Sequence, residues 1–129
     1  MDRRISAVLA ILDREWRRNH RIAELATAVN LRPSRLQHLF KAEVRRSIRE
    51  VVLTRRLEEA AKLVGATYER ISEIAYFVGF RDVSNFNHAF RRRFGTSPRA
   101  YRLAAAQMEA RSDAAARAQG DRGLGLHVS

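Results

Sequence analysis

Two stretches of the chain repeat each other at an offset of 49 residues: IAELATAVNLR at residues 22–32 and ISEIAYFVGFR at residues 71–81. The likeness continues at an offset of 50, where PSRLQHLFK (33–41) corresponds to VSNFNHAFR (83–91). In both copies the apolar residues recur at helical spacing, and the turn falls at Asn30 or Gly79, residue types that readily adopt positive φ. The repeat therefore predicts two helix-turn-helix units.

The second helix of each unit has a polar side and an apolar side. Successive 100° steps place the polar residues of the first copy on one side: Ser34, Gln37, His38 and Lys41. The second copy repeats this side with Ser84, Asn87, His88 and Arg91. The apolar sides contain Leu36, Leu39 and Phe40 in one copy and Phe86, Ala89 and Phe90 in the other.

The repetition of the polar side bears on function. A repeated core requires only packing, whereas a repeated surface of Ser, Gln or Asn, His and Lys or Arg indicates a repeated ligand. Amides pair with adenine, and His, Ser and cationic groups reach base edges or phosphates. The alternative is that both sides are merely solvated and resemble each other through duplication.

The rest of residues 1–103 also shows helical spacing, and no period-two alternation is sustained. We expect an all-α fold of seven helices, with a first helix-turn-helix subdomain at 1–46, a linker helix at 47–66 and a second subdomain at 67–103. The linker is expected to run from Ser47 to Val64 before a break at Gly65, and Trp16 is assigned to the core of the first helix. Ser97-Pro98 is a preferred helix start.

The length of the linker helix predicts how the two units are arranged. Eighteen residues span roughly 27 Å, and successive major-groove segments lie ~34 Å apart. A rigid helix of about this length can hold two recognition helices about one duplex turn apart. We therefore expect one chain to bind both segments as a monomer.

The chain of 129 residues is strongly basic, with 25 Lys and Arg against 14 Asp and Glu and a net charge of +11. The Ala- and Gly-rich segment 104–129 has three Arg and three acidic residues, so the whole charge lies on residues 1–103. This segment is predicted to fray from a helix into disorder. A positive balance favours nucleic acid, an anionic membrane surface or an acidic protein as partner. Because 23 of the 25 basic residues are Arg, biased codon usage is an alternative cause.

Other classes of protein are disfavoured. The chain has no Cys, its four His residues lack metal-ligand spacing, and no glycine-rich phosphate loop is present. We therefore expect no enzyme activity, metal or cofactor. No apolar run approaches the ~18 residues of a membrane span, which predicts a cytoplasmic protein. An Arg-rich RNA-binding module is the alternative function, although RNA binders expose aromatic stacking platforms and the Phe residues here lie at core spacing.

The segment GFRDVSNFNHAFRRRFGTSPRAYR, residues 79–102, resembles the signature of the AraC/XylS family of bacterial transcription regulators. LRPSRLQHLFK, residues 31–41, resembles that family's first recognition helix, and the likeness covers about residues 5–103. The resemblance implies binding to promoter or operator DNA at the nucleoid. It implies that the third and sixth helices enter adjacent major grooves. A protein-interaction module that contacts RNA polymerase or an anti-activator through exposed acidic residues such as Glu58 and Glu59 is a further hypothesis, compatible with DNA binding.

Carried over by position, the resemblance implies DNA contacts from ten residues: Ser34, Arg35, Gln37, His38, Lys41, Val83, Ser84, Asn87, His88 and Arg91. Val83 would offer apolar contact to a thymine methyl group. Most family members attach this domain to a second one. The tail favours a stand-alone regulator here, and a domain of a longer regulator is the alternative.

Three departures from the family pattern all fall in the first unit. Arg32 stands where a capping Ser is usual, Arg45 stands where Gly is usual, and Asn30 replaces the turn glycine. A missing cap forgoes ~1 kcal/mol, and Arg45 either avoids positive φ or bears strain. We therefore expect the first unit to be the less stable half and the weaker reader of DNA.

Overall fold

The computed structural model describes the backbone of residues 1–128 and the side chains of residues 1–120. The described chain consists of seven α-helices without a strand, which confirms the predicted fold class. The helices are α1 (Arg3–Arg14), α2 (Ile22–Ala28), α3 (Pro33–Val44), α4 (Ile48–Ala66), α5 (Ile71–Phe77), α6 (Val83–Phe94) and α7 (Pro98–Val128).

Two separate clusters of buried side chains hold the helices together. The first joins α1, α2, α3 and the start of α4, and is almost wholly aliphatic: Ile5, Val8, Leu12, Leu25, Ala26, Val29, Leu36, Phe40 and Ile48. The second joins the later part of α4 to α5 and α6: Leu57, Ala60, Ala61, Val64, Ile74, Ala75, Val78, Phe86 and Phe90. We call these the first core and the second core. Linker helix α4 contributes to both.

The second core is aromatic where the first is aliphatic. Ring centroids of Phe90 lie 4.6 Å from Phe94, 5.4 Å from Tyr101 and 5.7 Å from Phe86. Trp16 also packs against this core, so its assignment to the core of the first helix is wrong. Because α1 ends at Arg14, Trp16 lies in the following turn, which carries it across to the second core.

The linker helix is longer than predicted. It spans 19 residues, about 28 Å at 1.5 Å per residue, and includes Gly65, so the predicted break there is wrong. Gly65 lies against α7, where an added Cβ would be 3.6 Å from Ala105 and 3.7 Å from Tyr101. The helix ends at Ala66 and is capped by Thr67, whose hydroxyl donates to the carbonyl oxygen of Leu63 at 2.7 Å.

Where the sequence predicts fraying into disorder after residue 103, the structure continues α7 as one helix to Val128. Alanine has the highest intrinsic helix propensity, and this accounts for helix in the Ala-rich residues 106–118 without burial of their side chains. Side chains 106–120 are all exposed, and Ser129 lies outside the described residues. Among the helices that the structure describes, none has the length and apolar character needed to cross a membrane.

Candidate nucleic-acid interface

Helix α3 is anchored by its apolar side and presents its polar side to solvent. Leu36 and Phe40 are fully buried in the first core. The five candidate residues of this helix are all exposed: Ser34, Arg35, Gln37, His38 and Lys41. Four of them line one shallow concavity together with Ala42: Ser34, Gln37, His38 and Lys41. We call this concavity the first recognition surface.

Helix α6 repeats the arrangement with the second core behind it. Phe86 and Phe90 are fully buried, and Val83, the first residue of the helix, is half-buried. The other four candidates are exposed: Ser84, Asn87, His88 and Arg91. All five line one concavity, which we call the second recognition surface. The structure thus brings nine of the ten candidates together, four on α3 and five on α6, whereas Arg35 is exposed but does not line the first recognition surface.

Both recognition surfaces are lined mainly by polar side chains and carry positive charge. No acidic side chain lines either surface, whereas Lys41 lies on the first and Arg91 on the second. Within residues 1–120, the candidate side chains form no hydrogen bond or ion pair with the rest of the chain. Their donors and acceptors are therefore available to a ligand, and the charge favours an anionic one.

The second recognition surface includes four residues beyond the candidates of α6. Ser97 and Arg99, at the start of α7, line it with Ile71 and Pro98. The Ser97 hydroxyl accepts from the backbone N–H of Ala100 at 3.1 Å, so it caps α7, while Arg99 is exposed. Arg99 corresponds to Arg49 at the offset of 50, but Arg49 does not line the first recognition surface, so the repeat alone does not place Arg99 at the site.

Exposed aromatic side chains lie elsewhere on the molecule. Tyr68 is 100% exposed, Tyr76 55% and Phe77 46%, so the expectation that every Phe belongs to the core is wrong for Phe77. Tyr76 and Phe77 line a groove with Leu63 and Glu73 that shares no residue with either recognition surface. The recognition surfaces themselves therefore lack the stacking platforms typical of single-strand RNA binders.

Each unit has one residue with positive φ between its two helices and another directly after its second helix. Asn30 and Gly79 adopt φ values of 58° and 108° between the paired helices, as the sequence predicts. After the recognition helices, Arg45 and Gly95 adopt φ values of 67° and 78°, so Arg45 takes the strained alternative. A non-glycine residue in this region costs roughly 1–2 kcal/mol.

Two helix-turn-helix units, each with an anchored helix and a polar, basic outer side, define a double helix-turn-helix DNA-binding domain. A family model described as "Helix-turn-helix domain" matches residues 25–104. The chain belongs to the AraC/XylS family of helix-turn-helix proteins, a family of DNA-binding regulators and not of enzymes.

Individual relatives agree with this assignment. The chain is 41% identical over 87 residues to the transcriptional activator RhrA of Rhizobium meliloti, covering 66% of this chain and 27% of the relative. It matches the C-terminal domain of AraT, a response regulator from Geobacillus stearothermophilus, with a TM-score of 0.73 and 26% identity over 80% of this chain and 86% of that one. The DNA-binding domain of AdpA, crystallised with a target DNA, shares the fold with a TM-score of 0.71 at 23% identity, over 80% and 93% of the two chains. The chain spans about a third or less of the length of the curated relatives it matches.

Proposed function

We propose that this chain regulates transcription by binding double-stranded DNA at specific sequences, with α3 and α6 in two successive major-groove segments. One observation carries the proposal: two anchored helices expose the same chemical set of Ser, amide, His and cation. Family membership supports DNA as the ligand. The AdpA domain, which shares the fold, was crystallised with its target DNA.

The structure of the linker supports two-segment binding by a monomer. Helix α4 joins the two cores without a break and is about 28 Å long. Successive major-groove segments on one side of B-DNA are ~34 Å apart. We therefore infer that residues 1–46 and 67–103 act as two DNA-binding subdomains joined by linker helix 47–66.

The candidate side chains divide into two roles. Gln37 and Asn87 have the amide groups that pair bidentately with adenine, and Val83 offers apolar contact to a thymine methyl group. Ser34, Ser84, His38 and His88 reach base edges or phosphates from the same faces. Arg35, Lys41 and Arg91 bind phosphates, which supplies affinity that does not depend on sequence. We add Arg99 to this phosphate-binding group because it lines the second recognition surface.

As a bacterial regulator the chain would act in the cytoplasm at promoters or operators of the nucleoid, with RNA polymerase as its protein partner. The exposed carboxylate of Glu58, one candidate for a polymerase contact, forms an ion pair with Arg93 at 3.4 Å. Glu59, another candidate, pairs with Arg55 and Lys62 at 3.4 and 3.2 Å. Both groups are therefore engaged within the chain.

Selection from random sequence tests the proposal. The full chain is used to select binders from a pool of random DNA duplexes and, in parallel, from a pool of single-stranded RNA. We expect enriched duplexes that contain two short defined segments about one helical turn apart. The matched control is a chain with Gln37→Ala and Asn87→Ala, which should enrich the two defined segments much more weakly while still retaining DNA through its charge. Preferential recovery of RNA by the unaltered chain would contradict the proposal.

A further inference from the structure

Arg56 lies at the position along α4 where packing changes from one core to the other. Ile48, Val51 and Val52 precede it and pack in or against the first core, whereas Leu57 directly after it belongs to the second. Its side chain is half-buried at this junction. Burial lowers the pKa of Arg56 from its ordinary value, yet a guanidinium stays charged in proteins.

The Arg56 guanidinium donates to backbone groups from both halves of the molecule. Nε donates to the carbonyl oxygen of Trp16 at 3.2 Å, and Nη2 donates to the carbonyl oxygens of Arg17 at 3.4 Å and Arg18 at 3.3 Å. Nη2 also donates to Oδ1 of Asn19 at 3.1 Å. These acceptors all belong to the connection between α1 and α2.

On its other side the same guanidinium reaches the turn before the second recognition helix. Nη1 of Arg56 donates to the carbonyl oxygen of Gly79 at 3.3 Å. A Cβ at Gly79 would lie 2.8 Å from both Cζ and Nη1 of Arg56, closer than real Cβ contacts come. Gly79 therefore serves two needs, its φ of 108° and the space that the guanidinium fills. The Arg56 side chain thus links the first subdomain to the turn between α5 and α6.

Arg17 crosses the same junction from the opposite direction. Its Nε donates to the carbonyl oxygen of Phe77 at 2.8 Å, and its guanidinium carbon lies 3.9 Å from the centroid of the Phe77 ring. Trp16 meets that ring edge-on, with centroids 6.5 Å apart. The first unit has Ala28 at the place that corresponds to Phe77, so the aromatic residue is specific to the unit that receives Arg17.

We propose that Arg56 is a positioning residue that fixes the separation and angle between α3 and α6, and thereby restricts the chain to sites with one spacing between the two DNA segments. Arg17 acts with it as a second, weaker contact. The inference rests on the proposed two-segment binding. It follows because the hydrogen bonds of Arg56 and Arg17 link the subdomains to each other, whereas the ion pairs of Arg55 with Asp13 and of Arg93 with Glu58 each tie one subdomain to α4.

The test measures affinity against segment spacing. The selected site is remade with one or two base pairs added or removed between its two segments, each base pair shifting them by about 3.4 Å along the axis and turning them about it. Dissociation constants are measured for the full chain, for Arg56→Met, for Arg17→Met and for Arg102→Met. The quantity compared is the ratio of affinities for the original and the altered spacing.

Arg102→Met is the matched control. Arg102 likewise donates from its guanidinium to backbone carbonyls, those of Val64 at 2.9 Å and Glu69 at 2.6 Å, but both lie on the second-subdomain side of the junction. Its loss should lower thermal stability and leave the spacing ratio unchanged. A role for Arg56 in stability alone would make the two variants behave alike.

We expect the unaltered chain to prefer the original spacing by about tenfold, the equivalent of about 1.4 kcal/mol. Arg56→Met should reduce this ratio to about threefold or less, mainly by weakening binding to the original site, and Arg17→Met should reduce it by a smaller factor.

A folded Arg56→Met chain with the original ratio would overturn the inference, as would an equal reduction of the ratio in Arg102→Met. If Arg56→Met does not fold, Arg17→Met, at an exposed side chain, provides the test. A lowered ratio of affinities for original and altered spacing then supports the inference, and an unchanged ratio overturns it. An unaltered chain indifferent to spacing would also overturn this inference, whereas two-segment binding itself fails if the selection yields a single segment.

Discussion

At its two turns the second helix-turn-helix unit has glycine, Gly79 and Gly95, where the first has Asn30 and Arg45. The recognition helices differ in the same direction at their starts. The Asp82 side chain accepts from the backbone N–H of Asn85 at 3.2 Å, whereas Arg32 gives α3 no side-chain cap. The outward polar residues are nevertheless alike in both units. The two units thus share their outward polar residues but differ in the residues at their turns and caps.

The cores differ as well. The first core has a single buried aromatic residue, Phe40, among aliphatic side chains, whereas Phe86 and Phe90 of the second form ring contacts with Phe80, Phe94 and Tyr101. Paired rings contribute ~0.5–1.5 kcal/mol beyond the area they bury. The second unit has glycine at both turns, a side-chain cap and additional aromatic contacts, so we expect it to be the more stable of the two.

The largest effect is expected from removing the central Phe of each core. Phe40→Ala and Phe90→Ala should each lower the free energy of unfolding by roughly 3–5 kcal/mol, with Phe90→Ala at the upper end because it also loses ring contacts. Denaturant unfolding measures both. Leu103→Ala, at a side chain 63% exposed, is the control and should change stability by less than about 0.5 kcal/mol. A larger loss for Phe40→Ala than for Phe90→Ala would reverse the comparison.

Amide hydrogen exchange measures the net difference between the units. A missing cap and a strained residue together should make local opening of residues 22–41 easier than that of 71–91 by about 2 kcal/mol. The first unit is therefore expected to exchange faster under native conditions. Equal or greater protection of residues 22–41 would show that the three departures do not weaken it.

The turn after each recognition helix isolates the effect of φ. Gly95→Ala should cost roughly 1–2 kcal/mol from backbone strain alone, since no atom lies within 4 Å of the added Cβ. Arg45→Gly should stabilise the chain by at most about 1 kcal/mol, because glycine loses more backbone entropy on folding. Thermal unfolding of the two single variants checks both signs. An unaffected Gly95→Ala chain would remove strain as a cause of the difference.

The smallest effect is expected at the caps. Asp82→Ala should lower stability by about 1 kcal/mol, and Arg32→Ser should raise it by about the same amount or less. Asn85→Ala, which keeps the backbone N–H that Asp82 accepts from, is the control for Asp82. If Arg32→Ser left unfolding unchanged, the missing cap would not explain the weaker first unit.

Local patterns predicted the helices and the faces of α3 and α6, because a side chain's position on a helix follows from its number alone. Contacts between distant segments were beyond such patterns. Trp16 continues the apolar stripe of α1, and only the end of the helix at Arg14 shows that it turns to the second core. Gly65 suggests a break because glycine is a poor helix former. Its contacts with α7, which lie up to 40 residues away along the chain, could not be read from the local pattern.

The grouping of eight candidate side chains on two helix faces could be predicted for the same reason, from repetition at helical spacing, whereas their contacts with DNA stay a prediction. Arg99 was missed because it belongs to the next helix and joins the second recognition surface only through the fold. The partners of Arg56 could not be predicted, since five backbone and side-chain acceptors from two connections converge on it. Convergence of that kind depends on tertiary structure alone.

The most direct test of two-segment binding combines a base-substitution scan of the selected site with one variant in each recognition helix. Gln37→Ala and Asn87→Ala are each measured against the scanned sites and against random duplex DNA. We predict that each costs about 1–3 kcal/mol on the selected site, barely changes binding to random DNA, and loses base discrimination in one segment only. The two affected segments should differ and lie about one helical turn apart. Equal losses on selected and random DNA, or loss of discrimination in the same segment for both variants, would contradict the account.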